Sequence, residues 1–311
     1  MLSAATVTQS ESIQLEDTIT SSQRLQASAR TIVVGFDGST ASASAVRWAA
    51  TEADARGAAL HVVASYAMPP LMDYFGIGTS TADPAQVQQL HESCKAELAA
   101  LTGVITAEYP RVAIKAETTV EPATAALVRA ATFADLLVVG SNGLGAATGV
   151  LLGSVVSSLI SKSPCPLTIV PSSTQTDTGR IVVGVDGSVP SRRALEWACN
   201  EAELRHCELL VVHAWEYPYQ LTNDGIGRGS DIVEADAKAL LDAAVESARP
   251  CGRVRGELVE GGAAGTLLDA GESADALIVG SRGRGGFRSM LFGSVAHALA
   301  SHSPCAVVVI H

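Results

Sequence analysis

A chain of 311 residues, 47% hydrophobic and 17% charged, is long enough for about two domains of ~100–200 residues each and can bury a core in both. Its formal charge of -11 argues against nucleic acid or an anionic membrane as partner, since both require a basic face. No apolar run reaches the ~18–20 residues of a membrane span, and the N-terminus lacks the basic and apolar stretches of a secretory signal.

The six cysteines, Cys94, Cys165, Cys199, Cys207, Cys251 and Cys305, form no dense framework, so a reducing, cytoplasmic setting is expected. Cys199, His206 and Cys207 lack the CxxC pairs of a zinc site. Cys165 and Cys305 occupy matching Ser-Pro-Cys positions before apolar runs and read as small core residues. No metal site is expected.

Residues 1–29 are rich in Ser, Thr, Gln and Ala and read as a disordered tail, with at most a weak helix around Ile13 to Leu25. Ordered structure is expected from residue 30. Thr31 to Phe36 is a short apolar run ending at Asp37-Gly38-Ser39, a turn and helix-start signal. In the helix that follows, Val46, Ala49, Ala50 and Ala53 form one apolar face. Leu60 to Ala64 is the second strand. A loop from Tyr66 to Asp83 carries Gly76-Ile77-Gly78, and Pro84 opens the second helix. Arg111 to Thr119 alternates like a strand, and Glu121-Pro122 opens a third helix. Asp135 to Val139 is strand four, Val155 to Ser161 helix four, and Pro166 to Val170 strand five.

After a polar linker, residues 172–179, the pattern repeats over residues 180–311. Ile181 to Ser188 matches Ile32 to Ser39, Trp197 matches Trp48, and Gly225-Ile226-Gly227 matches Gly76-Ile77-Gly78 at one constant offset. Asp275, Gly280 and Gly293 match Asp135, Gly140 and Gly153 at a smaller one, so the second copy is shorter near its second helix. Alternating strands and helices predict an α/β fold in each half, with a parallel sheet covered on both faces. In such sheets ligands bind at the carboxyl ends of the strands, where the strand order reverses.

Each copy carries a glycine stretch after strand four: Gly140-Ser141-Asn142-Gly143, then Gly153-Ser154-Val155; and Gly280-Ser281-Arg282-Gly283, then Gly293-Ser294-Val295. Both fit Gly, two residues, Gly, nine residues, Gly-Ser. Glycines at the end of a strand and before a helix start let backbone N–H groups approach an anion. This is neither the dinucleotide fingerprint, which follows the first strand, nor a Walker A loop, which needs Gly-Lys-Ser/Thr.

With this motif present twice, each time beside an aspartate ending strand one, the chain resembles the universal stress proteins in their tandem form. The resemblance covers residues ~31–171 and ~180–311. It implies a five-stranded parallel sheet of order 3-2-1-4-5 in each half and the ATP-binding branch of the family, with ATP as ligand and Mg²⁺ as its companion. It also implies roles. Asp37 and Asp186 would face the adenine or ribose, and Ser65 and Ala214 would meet the adenine edge through backbone groups. Gly140 and Gly280 would lie under the ribose. Gly143, Gly153, Ser154 and Val155 would hold phosphates in the first half, and Gly283, Gly293, Ser294 and Val295 in the second. Apart from the resemblance, comparison of the two copies sets Arg282, Arg284 and Arg288 where the first half has Asn142, Leu144 and Thr148, so added charge for phosphates is expected in the second half.

Other readings of the same residues stay open. The aspartates suit helix capping, the glycines suit tight packing, the arginines suit a solvated surface, and Gly-Ile-Gly suits either a lid or a plain loop. The sequence shows no catalytic base, Walker lysine or dedicated Mg²⁺ carboxylate, which phosphoryl transfer requires. A nucleotide-responsive regulator of stress response is therefore expected. A slow ATPase, or an interaction module sensing another adenylate such as cyclic AMP, is the alternative. The two apolar strand-five segments are expected to pair antiparallel within one chain, joining the halves as edge strands invite; a homodimer is left open.

Overall fold

The computed structural model describes residues 30–66, 84–143, 152–173, 178–216, 230–283 and 293–311. The tail helix, both Gly-Ile-Gly segments, Leu144, Thr148, Arg284 and Arg288 lie outside the described residues. In the first half, strands β1 (Thr31–Phe36), β2 (Ala59–Ser65), β3 (Ile114–Thr119), β4 (Leu136–Gly140) and β5 (Leu167–Val170) alternate with helices α1 (Thr40–Arg56), α2 (Pro84–Glu108), α3 (Ala123–Ala131) and α4 (Ser154–Lys162). The second half repeats this with β6 (Arg180–Gly184), α5 (Val189–Arg205), β7 (Glu208–Trp215), α6 (Ser230–Ala248), β8 (Val254–Glu260), α7 (Ala263–Gly271), β9 (Ala276–Gly280), α8 (Ser294–His302) and β10 (Ala306–Ile310). A 3-10 turn, Arg249–Cys251, follows α6. The shortening of the second copy falls largely in its second helix: α2 has 25 residues and α6 has 19. Among the described residues no helix is long and apolar enough to cross a membrane.

The ten strands form one sheet in the order β3-β2-β1-β4-β5-β10-β9-β6-β7-β8. Each half therefore has the expected order 3-2-1-4-5, read outward in opposite directions. Every pairing within a half is parallel. The central pair is antiparallel, with Val307 opposite Ile169, Val308 opposite Thr168 and Val309 opposite Leu167. The expected strand-five pairing is present, and it covers two edges that would otherwise leave backbone donors and acceptors unpaired.

On one face a single continuous core runs through both halves, from Val33, Leu127 and Leu159 to Leu267, Leu299 and Val309. On the other face each half has its own core, beneath α1 in the first half and beneath α5 in the second. The predicted apolar face of α1, Val46, Ala49, Ala50 and Ala53, is fully buried.

Where α1 meets α5, the contact is ionic. Arg56 donates to Glu52 and Glu201, and Arg205 donates to Glu201 and Glu52, closing a ring of four. Both carboxylates are buried, at 0% and 1% side-chain exposure. Each guanidinium also lies over the tryptophan of the opposite half, Arg56 over Trp197 at 5.2 Å and Arg205 over Trp48 at 5.6 Å. Burial, reinforced by the neighbouring Glu52 carboxylate, pushes the Glu201 carboxyl up to about 7, against the pull of the two arginines.

The cysteines correct one expectation. Cys199 on α5 is joined to Cys251 after α6, a pairing that a separation of 52 residues conceals in the sequence. His206 caps α5 in the left-handed conformation (φ 54°), where the first half has Gly57. Cys165 and Cys305 are buried core residues, as read.

The ionic ring carries a prediction. Arg205→Met leaves two buried carboxylates with one cation, and should cost about 3–5 kcal/mol in urea unfolding; a loss below about 1 kcal/mol would mean that the ring behaves like a solvated pair. Glu201 titrates above its ordinary 4.5 in the folded chain. Its contribution to stability should therefore be complete below that pH and lost as the pH climbs through about 7. Glu201→Gln, which cannot titrate, should lack that slope.

Candidate functional site

Each half holds a crevice at the carboxyl ends of its strands, where β1 and β4 lie side by side and the chain leaves them in opposite directions. The crevices measure about 800 Å³ in the first half and about 950 Å³ in the second, within the usual range for small-molecule sites.

The floor of the crevice starts with a close approach. A Cβ added to Gly140 would fall 2.7–2.9 Å from backbone atoms of Ala41 and Ser42. One added to Gly280 would fall 2.8–2.9 Å from Pro190 and the Ser191 amide nitrogen. The last residue of β4 or β9 must be glycine because the first turn of α1 or α5 rests on it. These two glycines are packing residues in the structure, and they line the crevices as well.

The aspartates stand beside them without capping the helix. Ser39 and Ser188 are the N-caps, their hydroxyls accepting from the amides of Ser42 at 3.1 Å and Ser191 at 3.2 Å. Asp37 Oδ1 accepts from the Ser39 amide at 3.0 Å, and Asp186 Oδ1 from the Ser188 amide at 2.9 Å. Gly38 and Gly187 make this turn with φ of 84° and 77°. The second oxygen of each aspartate is aimed at the glycine loop. A Cβ on Gly143 would collide with Asp37 Oδ2, and one on Gly283 would sit 2.5 Å from Asp186 Oδ2.

The glycine loop closes on itself and on the N-cap. The Gly153 amide donates to Ser141 O at 3.2 Å, and the Gly293 amide to Ser281 O at 3.1 Å. The Ser39 hydroxyl donates to Asn142 O, and the Ser188 hydroxyl to Arg282 O, both at 3.4 Å. Gly153 and Gly293 then start α4 and α8 with no side-chain cap. The first-turn amides of these helices, beginning at Ser154–Val155 and Ser294–Val295, face crevices that both pairs line. An uncapped helix start of this kind presents backbone donors and partial positive charge to an anion.

The structure thus brings Asp37, Ser65, Gly140, Gly143, Gly153, Ser154 and Val155 to one crevice. It brings Asp186, Ala214, Gly280, Arg282, Gly283, Gly293, Ser294 and Val295 to the other. The Ser65 hydroxyl is held by Glu121 O at 2.6 Å, leaving its backbone at the crevice edge. Arg282 is exposed at the rim. With burial, its charge holds the imidazole of His311 below the usual value.

Sequence reasoning missed the walls. Leu90, Ser93, Cys94 and Glu97 of α2 and Tyr66 flank the first crevice. Val233, Asp236, Ala237 and Leu240 of α6, with His213, Trp215 and Glu216, flank the second. His213 Nδ1 lies 2.7 Å from Val185 O and, since a carbonyl only accepts, donates to it. The only signal for these residues was the periodicity of the second helix, which says nothing about which side meets a ligand.

Comparison with known proteins agrees with the duplication. A sequence model described as the universal stress protein family matches residues 28–171 and again 178–311. Universal stress protein Rv1996 of Mycobacterium tuberculosis is 30% identical over 310 residues, covering 89% of this chain and 94% of its own. A universal stress protein of Mycolicibacterium smegmatis is 31% identical over 291 residues, covering 90% and 96%. The crystal structure of a universal stress protein from Archaeoglobus fulgidus covers 91% of this chain and 98% of its own with a TM-score of 0.63; at 21% identity it speaks for the fold alone. With two family matches that span nearly the whole chain and relatives alike across both halves, the chain belongs to the universal stress protein family.

Proposed function

We propose that residues 30–171 and 180–311 are two adenine-nucleotide-binding domains, that ATP is the ligand of each crevice, and that the chain is a cytoplasmic, nucleotide-responsive regulator of stress response. The observation that carries this reading is the cradle. A glycine loop closed on an uncapped helix start faces an aspartate one strand away, and it is built twice with the same bonds. The loop and the first turns of α4 and α8 offer N–H donors to phosphates. Asp37 and Asp186 offer carboxylate oxygens to a hydroxyl or amino group of the nucleoside, and the backbone at Ser65 and Ala214 offers pairing groups to the base edge. Mg²⁺ bound with the phosphates would offset their charge beside these carboxylates. Among the described residues that line the crevices there is no phosphate-clamping lysine, which favours binding over turnover, and a slow ATPase is the second reading.

Single alanines separate packing from binding. In Gly283→Ala the methyl meets the end of the Asp186 side chain, which can swing away, so ATP affinity at that crevice should fall about tenfold while urea unfolding stays unchanged. In Gly280→Ala the methyl meets the backbone of α5, so stability itself should fall, by about 1–3 kcal/mol. Calorimetry that finds unaltered ATP affinity in Gly283→Ala would reject the cradle assignment.

The crevices should also be unequal. Arg282, with Arg284 and Arg288 near it in sequence, stands where the first half has Asn142, Leu144 and Thr148, and arginine makes charge-assisted bonds to phosphate oxygens. The full chain is the right material, because the ionic ring and the β5–β10 pair join the halves. With one crevice weakened by Gly143→Ala or Gly283→Ala, the second should hold ATP about tenfold more tightly than the first. It should also lose more affinity with salt and show a smaller advantage for AMP. An advantage equal for AMP and ATP would show that these arginines do not read the outer phosphates.

A further inference from the structure

The Cys199–Cys251 link joins two elements that both border the second crevice. Cys199 lies two-thirds of the way along α5, whose first turn contributes Ser191 to the crevice. Cys251 ends the 3-10 turn directly after α6, and α6 forms the crevice wall through Val233, Asp236, Ala237 and Leu240. The two Cα atoms are 5.3 Å apart.

The first half ties the same two elements together without sulfur. Arg111, at the position matching Cys251, forks onto Asp54 of α1, with Nε 3.1 Å from Oδ1 and Nη2 2.7 Å from Oδ2. Thr51 Oγ1 and Tyr109 OH lie 2.8 Å apart beside it. Ala50 occupies the place of Cys199. In both halves, then, the first helix is fastened to the far end of the second, but the fastening in the second half is one that a thiol can open. Cys199 is buried at 8% exposure and Cys251 is half-buried, which makes Cys251 the sulfur that a small reagent reaches first.

We propose that Cys199 and Cys251 are a reversible thiol–disulfide site, exchanging with low-molecular-weight disulfides, whose closure stiffens the α6 wall of the second crevice. In closure, the Cys251 thiolate attacks one sulfur of the small disulfide, whose S–S bond breaks; a mixed disulfide forms and one small thiolate leaves. The Cys199 thiolate then attacks Cys251 Sγ and expels the second small thiolate. The two cysteines lose two electrons and two protons, and the reagent departs as two thiols. Opening is the same exchange reversed, driven by an excess of small thiol. Closure restricts the chain between α5 and α6, so a ligand held by the α6 wall has less ordering to do on binding. This last step rests on the second crevice being the nucleotide site; the redox site and the stiffening do not.

The test equilibrates the full chain with a series of reduced-to-oxidised glutathione ratios, alkylates free thiols, and quantifies the linked peptide by mass spectrometry. Amide hydrogen exchange is then followed in the closed and open forms. The expected result is complete and reversible conversion. Exchange over Ser230–Ala248 should be about tenfold faster in the open form, with no change over Pro84–Glu108. Cys199→Ala, which gives the second half the residue of the first, should exchange like the open form at every ratio. A link that no ratio opens, or equal α6 exchange in the two forms, overturns the proposal. In a Gly143→Ala chain, ATP affinity should fall about fivefold or more on opening; unchanged affinity despite an exchange shift overturns the coupling to ligand. A chain that shows the exchange shift but binds ATP in neither form rejects the nucleotide reading and upholds the redox site.

Discussion

The first turn of the first helix in each half rests on the last residue of the fourth strand. No side chain fits between them: at Gly140 and Gly280 even a methyl would fall within 3 Å of helix backbone. This contact sets the geometry of everything at that end of the sheet. It puts the turn after β1 beside the loop after β4, so that the aspartate of one abuts a glycine of the other. It lets one serine cap the helix and bond the loop carbonyl together. Glycine at these two positions is a demand of packing first, and the crevice follows from it.

The same fold places two different kinds of junction between the halves. At the centre of the sheet the junction is a backbone ladder over continuous apolar packing, β5 against β10. On the opposite face it is the ring of Glu52, Arg56, Glu201 and Arg205, closed over by Trp48 and Trp197. Buried ion pairs contribute little against an apolar replacement, but they tolerate no missing partner. The ring therefore acts as a test of correct pairing: each half supplies one carboxylate and one guanidinium that only the other half can complete. The two crevices open on one continuous sheet, and a chain that lost this registration would keep the Glu–Arg pair of each half but lose the two bonds that cross between them.

Much of the fold was legible because duplication doubles every signal. Apolar runs, the i, i+3, i+4, i+7 face of α1 and the Asp-Gly-Ser turns recur at fixed offsets, and the strands and helices formed where those signals lie. The glycine spacing located the loop and helix start on both sides. What stayed hidden depends on distance in space. Nothing in the spacing of Cys199 and Cys251 distinguishes a bonded pair from two core thiols. Trp48 and Trp197 read only as matching positions of the two copies, and only the pseudo-two-fold contact sets each beneath an arginine of the other half. The aspartates were open to a capping reading until Ser39 and Ser188 took that role. The crevice walls on α2 and α6 were unreadable for a related reason: an amphipathic pattern tells which face turns inward, and a ligand-facing position there looks like a core position.

The proposed binding of one nucleotide in each crevice is open to a count. Native mass spectrometry of the intact chain with increasing ATP tests it most directly. Saturation is expected at two nucleotides per chain, with occupancy passing through a clearly populated one-nucleotide state because the crevices differ, and with each Gly→Ala change at Gly143 or Gly283 weakening one of the two. A chain that takes up no adenylate, or whose uptake is indifferent to both changes, would contradict it.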